Sequence, residues 1–331
     1  MQQSQETIAA VVVTYNRKDL LGQCLNSLLG QSRPLDALYI LDNHSTDGAY
    51  DALRAGDWIA PTEGRANEIV ETIRPVRVPG SSGQRLEVHY VRMPENTGGA
   101  GGFHEGMSRA AAAGFEWLWL MDDDLLAAPD ALETLVRKKN ALREAGHRPF
   151  LLNSLVVARD QPDGDVLAQP LQELTARGYP RRGVYHWRLS EVRDQTRDGL
   201  YRWACPFNGT FVPTAALATI GLPNRDFYIL GDEKDFLWRA ARRLAFYTVV
   251  DSKVFHPAFR LGALDWKAYY RIRNMYVVNR HFNFTTLRNL RLTVLSLIGG
   301  LRHGPGSLAL VLRAIGDGLS GRLGRREDLG P

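Results

Sequence analysis

Three consecutive carboxylates, Asp122, Asp123 and Asp124, close the most apolar segment of the first half of the chain. At the period of two of a strand, Asp122 and Asp124 share a face while Asp123 points away. Two carboxylates on one face repel unless a cation lies between them, and oxygen ligands suit Mg²⁺ or Mn²⁺. The plain alternative is a solvated acidic turn capping the helix after Pro129. A place at the end of a central strand favours the metal.

Four other clusters carry candidate chemistry. The glycine-rich run from Asn96 to Phe103 precedes a helix, so its amides could approach a diphosphate or sugar; a tight structural turn explains it equally well. It fits neither a Walker A loop nor the G-x-G-x-x-G fingerprint. Thr14, Tyr15 and Arg17 end one strand and Asp42 with Asn43 another, a pair of ends that could hold a base and ribose. Asp232 and Glu233 open a helix, where acids oppose the dipole, and either could serve as a general base. His256 stands alone as a loop histidine followed by Pro257.

These residues need a scaffold that brings strand ends together. The first 125 residues alternate strand and helix. Strands are expected at 8–14, 38–41, 87–93 and 117–121, with helices at 18–29, 49–55 and 105–113. That order implies a parallel sheet wound like a Rossmann fold, with ligands at its carboxyl ends. Residues 57–85 read as a long loop and 161–198 as an irregular segment. Further strands are expected at 151–157, 209–212, 227–230 and 245–250, helices at 130–145 and 232–243, and helix throughout 266–321.

Composition sets the outer bounds. The 331 residues are 44% hydrophobic and 23% charged, a globular balance. Two cysteines, Cys24 and Cys205, make no disulfide framework and indicate a reducing compartment. The N-terminus lacks the pattern of a signal peptide. Residues 256–331 hold 12 Lys/Arg against 4 Asp/Glu, a basic end that suits an anionic surface. Nucleic-acid motifs are missing, so no nucleic-acid partner is expected. The uncharged run at 292–301 is too short to span a bilayer, which points to interfacial helices or a packed helical hairpin.

Taken together, these motifs resemble the family 2 inverting glycosyltransferases of GT-A fold. Residues 10–17 are similar to their opening strand and 41–47 to their second motif. The glycine run, the aspartate triplet, the acidic helix start and His256 follow in the family's order, over roughly residues 8–260. The glycine loop followed by Met-Asp-Asp-Asp is most like bacterial galactofuranosyltransferases, with O-antigen rhamnosyltransferases as close relatives.

The resemblance implies an α/β fold of the nucleotide-diphospho-sugar transferase type. It has a mostly parallel central sheet and a helical C-terminal extension. Residues 1–260 would form the transferase domain, divided at 125/126 into donor and acceptor halves, and 261–331 a basic helical region. Thr14, Tyr15, Arg17 and Asp42 would bind uridine and its phosphates; Asn96, Gly98 and Gly99 would flank the donor, with Asp123 nearer the sugar. Asp122, Asp124 and His256 would hold Mn²⁺ or Mg²⁺, and Trp203 and Asn208 would line the acceptor. Relatives carry two aspartates or Glu-Asp where this chain has Asp232-Glu233, so the base is one of these two, with Glu233 aligned to it.

The implied reaction moves galactofuranose from UDP-galactofuranose to a lipid-linked saccharide, with dTDP-rhamnose as the alternative donor. A nucleotide-sugar-binding module without catalysis is the non-enzyme alternative. The implied place is the cytoplasm, peripheral on the inner face of the cell membrane, and self-association is left open.

Overall fold

An unbroken apolar run with every residue buried is what a parallel strand covered on both faces requires, and Ile8–Thr14 (β1) is one. The computed structural model describes residues 6–62, 68–78, 83–147, 149–161, 164–175, 180–203, 207–258 and 264–330. Cys205 and the expected boundary at 260/261 lie outside them. After β1 come Lys18–Leu29 (α1), Ala37–Asp42 (β2), Ala49–Ala55 (α2), Val70–Arg77 (β3), Arg85–Arg92 (β4), Gly98–Ala112 (α3) and Trp117–Asp122 (β5). The middle holds Leu126–Ala127 (β6), Ala131–Glu144 (α4), Phe150–Ala158 (β7), Val166–Leu174 (β8) and Pro180–Arg188 (β9). Leu200–Tyr201 (β10), Thr210–Pro213 (β11), Thr214–Ile220 (α5), Asp232–Ala241 (α6) and Ala245–His256 (β12) complete the sheet region. Trp266–Val278 (α7), Thr285–Arg302 (α8) and Pro305–Ser320 (α9) follow.

The main sheet runs β10-β12-β7-β11-β5-β1-β2-β4-β3. β4, β2, β1 and β5 are mutually parallel, as the alternation implied, and their register sets Val13 beside Asp122 and Thr14 beside Asp42. Side chains alternate between two cores. Ala10 and Val12 of β1 face α1 and α4, whereas Val11 and Val13 face α3 and α6. The result is a three-layer α/β/α body.

Several expected boundaries move for identifiable reasons. Within 57–85 lies β3, an antiparallel edge strand that hides from the sequence because no face of it is fully buried and Pro75 interrupts it. The segment 161–198 contains the paired strands β8 and β9. The expected strand at 227–230 is instead a tight turn, with Tyr228 at φ 66° and Leu230 at φ 62°. β12 runs on past 250, through a register shift between Val249 and Lys253, and so carries His256 at its end. The helical tail breaks into α7, α8 and α9.

The glycine run is the first turns of α3 rather than a loop before it. A Cβ on Gly102 would sit 2.4 Å from Val13 Cγ1, so glycine is what lets α3 lie against β1. Gly99 faces open space. Gly102→Val is expected to lower stability by about 1–3 kcal/mol through overpacking. Gly99→Ala should be neutral or stabilising by up to about 1 kcal/mol. Urea denaturation of the two variants distinguishes a packing role from a generic glycine effect.

Candidate functional site

The ends of β1, β2 and β5 meet because their register is fixed, and side chains then stitch the loops that leave them. Asn16 N–H donates to Ser45 Oγ at 3.0 Å, Thr46 N–H to Asn16 Oδ1 at 2.7 Å, and Lys18 N–H to Asp47 Oδ2 at 2.8 Å. Asp42 is 1% exposed: Oδ1 accepts from Ser45 N–H at 2.7 Å and Oδ2 from the Tyr90 hydroxyl at 2.5 Å. One oxygen of Asp42 thus holds the turn after β2 and the other is taken by Tyr90 of β4. Burial and Asp42 together push the Tyr90 hydroxyl well above its ordinary range, so it remains a donor. Tyr15 stays half-exposed beside this turn.

β5 stops at Asp122, so strand alternation does not extend to Asp123 and Asp124, which occupy the turn beyond. Asp123 is buried, accepting from Thr14 Oγ1 at 2.7 Å and from Arg17 Nη1 at 3.1 Å. The same Arg17 nitrogen donates to Asp124 Oδ2 at 2.7 Å. Burial, then repulsion from Asp124 and Asp123, pushes Asp122 up to about 8. Burial raises Asp123 to about 6 against the pull of Arg17 and Thr14. Burial also opposes ionisation of Asp124, but His256 and Arg17 outweigh it and hold this carboxyl below the usual range.

Whether these residues suit a divalent cation can be tested on two atoms. His256 Nδ1 lies 2.6 Å from the Pro257 carbonyl, which can only accept, so Nδ1 carries a proton. Its Nε2 is therefore the nitrogen turned to Asp124, 3.3 Å from Oδ1. Burial opposes a charge on this ring, but Asp124 outweighs it and raises the ring's affinity for a proton, so Nε2 faces the carboxylate as a donor. With Nδ1 held on a carbonyl, Nε2 is the nitrogen a metal would take in place of that proton. Asp124 Oδ1 is buried, with His256 Nε2 as its polar neighbour. Both atoms fit a cation. Among the described residues, no three His, Cys, Asp or Glu side chains converge as a ligand set in this conformation, in which Arg17 holds Asp123 and Asp124.

The start of α3 forms a second wall. Asn96 Oδ1 accepts from Gly98 N–H at 2.9 Å, and Ala100 N–H donates to the Tyr228 carbonyl at 3.1 Å. Two amides expected to face an anion therefore have internal partners. Gly98 has φ 69°, and a Cβ there would lie 2.0 Å from the Tyr228 oxygen, so only glycine admits this approach. Asn43, at the end of β2, ties on by Nδ2 to the Gly98 carbonyl at 3.0 Å.

A turn at 227–230 delivers the acids of α6. Asp232 is buried, and burial with neighbouring Glu233 raises its carboxyl well above the usual range; Asp122 adds to the effect, so strand end and helix start face each other. Successive helical residues leave the helix about 100° apart, but the Glu233 side chain folds back, sharing a hydrogen bond with Asp232 while remaining half-exposed. One of its oxygens, Oε2, accepts from Gly231 N–H at 2.7 Å. The turn itself is fixed by α7: Asn274 Nδ2 lies 2.6 Å from the Leu230 carbonyl, and Arg273 Nη2 donates to the Phe227 carbonyl at 3.0 Å. Both are fully buried. Sequence reasoning missed Arg273, Asn274 and Tyr228, since nothing in a helical pattern marks a buried arginine as a brace for a distant turn. Arg325 was missed too; its Nη1 is 3.4 Å from the Asn96 carbonyl.

Trp203 is half-buried, with ring centroids 6.3 Å from both Trp238 and Phe246. Asn208 is buried and its Oδ1 has no hydrogen-bond partner. Phe207 beside it stacks on Phe103 of α3 at 4.5 Å.

A parallel sheet whose carboxyl ends gather an aspartate triplet, facing an acidic helix start, defines a nucleotide-diphospho-sugar transferase of GT-A type. The chain matches the model for glycosyl transferase family 2 over residues 9–57 and 65–147, which include the ends of β1 and β2, the glycine run and the triplet. It is 34% identical over 257 residues to galactofuranosyltransferase GlfT1 of Mycobacterium tuberculosis, covering 76% of this chain and 70% of that one. With GlfT1 of Mycolicibacterium smegmatis it shares 29% over 293 residues, 86% and 82% of the two chains. The crystal structure of S. aureus TarS 1–349 superposes with a TM-score of 0.55 at 14% identity, over 95% of this chain and 80% of TarS. The complex of TarS with UDP-GlcNAc gives a TM-score of 0.53 at 14% identity, over 95% and 81%. The chain belongs to glycosyl transferase family 2 and is a glycosyltransferase.

Thr14→Val removes a hydrogen bond to the buried Asp123. The expected cost at pH 8 is about 1–3 kcal/mol, because an ionised acceptor loses a donor. The folded-state value of about 6 for Asp123 lies above its unfolded value of about 3.9, so the folded form binds more protons between them. The contribution of this group to stability therefore falls as pH rises from 4 to 6. The penalty of Thr14→Val should shrink at pH 5, where folded Asp123 is largely protonated; urea denaturation at both pH values reads this directly.

Proposed function

We propose that this glycosyltransferase moves galactofuranose from UDP-galactofuranose, with inversion, onto a lipid-linked cell-surface glycan such as an O-antigen or a cell-wall galactan. The reading places it in the cytoplasm at the inner face of the membrane. One observation carries it: the 34% identity to a galactofuranosyltransferase over more than two thirds of both chains. Thr14, Tyr15 and Arg17 then bind the nucleotide and its phosphates, and Asn96 with Gly99 flanks the sugar. Asp42 acts on the nucleotide through the turn that it holds.

Asp122, Asp124 and His256 would hold Mn²⁺ or Mg²⁺, which when bound neutralises the diphosphate as UDP leaves. Arg17 pairs two of the three carboxylates, Asp123 and Asp124. Glu233 accepts the proton of the acceptor hydroxyl as that oxygen attacks the far face of the sugar. Its half-exposed position suits the role. Asp232, buried and pushed toward its neutral form, is the worse base and positions its neighbour. Trp203 offers an apolar wall and Asn208 a free carbonyl oxygen for an acceptor hydroxyl.

Glu233→Gln should lower kcat by about 10²–10⁴-fold while retaining UDP binding. Asp232→Asn should be milder, or should act mainly on stability. An inactive, folded Asp232→Asn beside a near-native Glu233→Gln reverses the two roles. Mn²⁺ should raise the melting temperature of the wild type and not of Asp124→Ala or His256→Ala. For the donor, UDP release across a panel of nucleotide sugars decides. Turnover of dTDP-rhamnose with none of UDP-galactofuranose would overturn the assignment.

A further inference from the structure

A surface helix ordinarily turns its apolar stripe inward. α8 does the reverse. Leu287, Leu290, Val294, Leu295, Ile298 and Leu301 are between 41% and 66% exposed. At 100° per residue they cover an arc of about 140° on one side of the helix. Phe284, at the entry to the helix, is 80% exposed. The opposite side is anchored: Thr293 Oγ1 meets the Tyr276 hydroxyl of α7 at 2.7 Å, Asn289 Oδ1 accepts from Asn279 at 2.8 Å, and Gly300 packs against α9. The apolar face is therefore outward in a docked helix, not on a frayed one.

Charge identifies what covers it. α8 carries Arg288, Arg291 and Arg302 and no acidic residue. By the same angular count, Arg291 and Arg302 fall within the apolar arc and Arg288 at its edge. A second copy docking face to face about a two-fold axis would set these arginines against their own images with no carboxylate on the helix to neutralise them. An anionic lipid surface satisfies both features, taking the leucines into the acyl boundary while the arginine stems reach headgroup phosphates. None of the helices among the described residues is long and apolar enough to cross a membrane.

We propose that α8 lies flat in the interface of an anionic membrane, outward face down, and docks the enzyme there. This goes beyond the transfer reaction and is tested without it. The full chain should pellet with phosphatidylcholine vesicles containing phosphatidylglycerol, and not with phosphatidylcholine alone, and high salt should weaken the binding. Replacing the three arginines by Gln should weaken partitioning about a hundredfold. Leu290→Asp with Ile298→Asp should weaken it about tenfold or more; both sites are exposed, and an unchanged circular dichroism melt confirms folding. Absence of pelleting at low salt, or full binding by either variant, overturns the proposal. So does a sedimentation-detected dimer that Leu290→Asp dissociates while vesicles fail to bind.

Discussion

Three carboxylates at the end of one buried strand are the constraint around which the rest of the structure is arranged. Burial and mutual repulsion drive Asp122 and Asp123 toward the protonated form, to about 8 and 6. The fold answers with cations and donors drawn from separate elements: Thr14 from the end of β1, Arg17 from the N-cap of α1, and His256 from the end of β12. The long apolar β5 with its Trp117 and Trp119 fixes where the triplet must stand. The charged end is tolerable because those partners converge on it.

The second dependency runs through the turn at Tyr228. Its backbone carbonyl caps the glycine-rich start of α3, and its far end launches α6 with Asp232 and Glu233. Positive φ at Tyr228 and Leu230 makes the turn costly for those residue types. Arg273 and Asn274 of α7 hold it by bonding its carbonyls. The helical C-terminal region is thus part of the machinery that aims the acids, as well as the surface that bears α8.

The acidic pair shows how one helix start separates two roles. Asp232 is buried and pushed toward its neutral form, while Glu233, hydrogen-bonded to it, keeps part of its side chain in solvent. The nearby Asp235 is taken by Arg239 and His281, at 2.8 and 2.7 Å, and so fixes the helix rather than serving the site. Three acids within four residues have three different environments.

The sequence alone determined the parallel core and the order of its motifs. Apolar runs such as Ile8–Thr14 and helical spacings such as Leu21, Cys24, Leu25 and Leu28 are local signals of burial. The strand-end rule then sufficed to gather Thr14, Asp42 and the triplet. Weakly patterned elements escaped it: the edge strand β3 has no fully buried face, and β8 buries Leu167, Ala168 and Leu171 across a register shift that breaks the period of two. Only the tertiary structure decided what the glycines were for, since the contact of Gly102 with Val13 joins residues distant in sequence. It alone turned the 227–230 segment into a turn, because the donors that stabilise it come from α7. It alone set the apolar stripe of α8 outward, because periodicity reveals that a helix has two faces but not which neighbour each one meets.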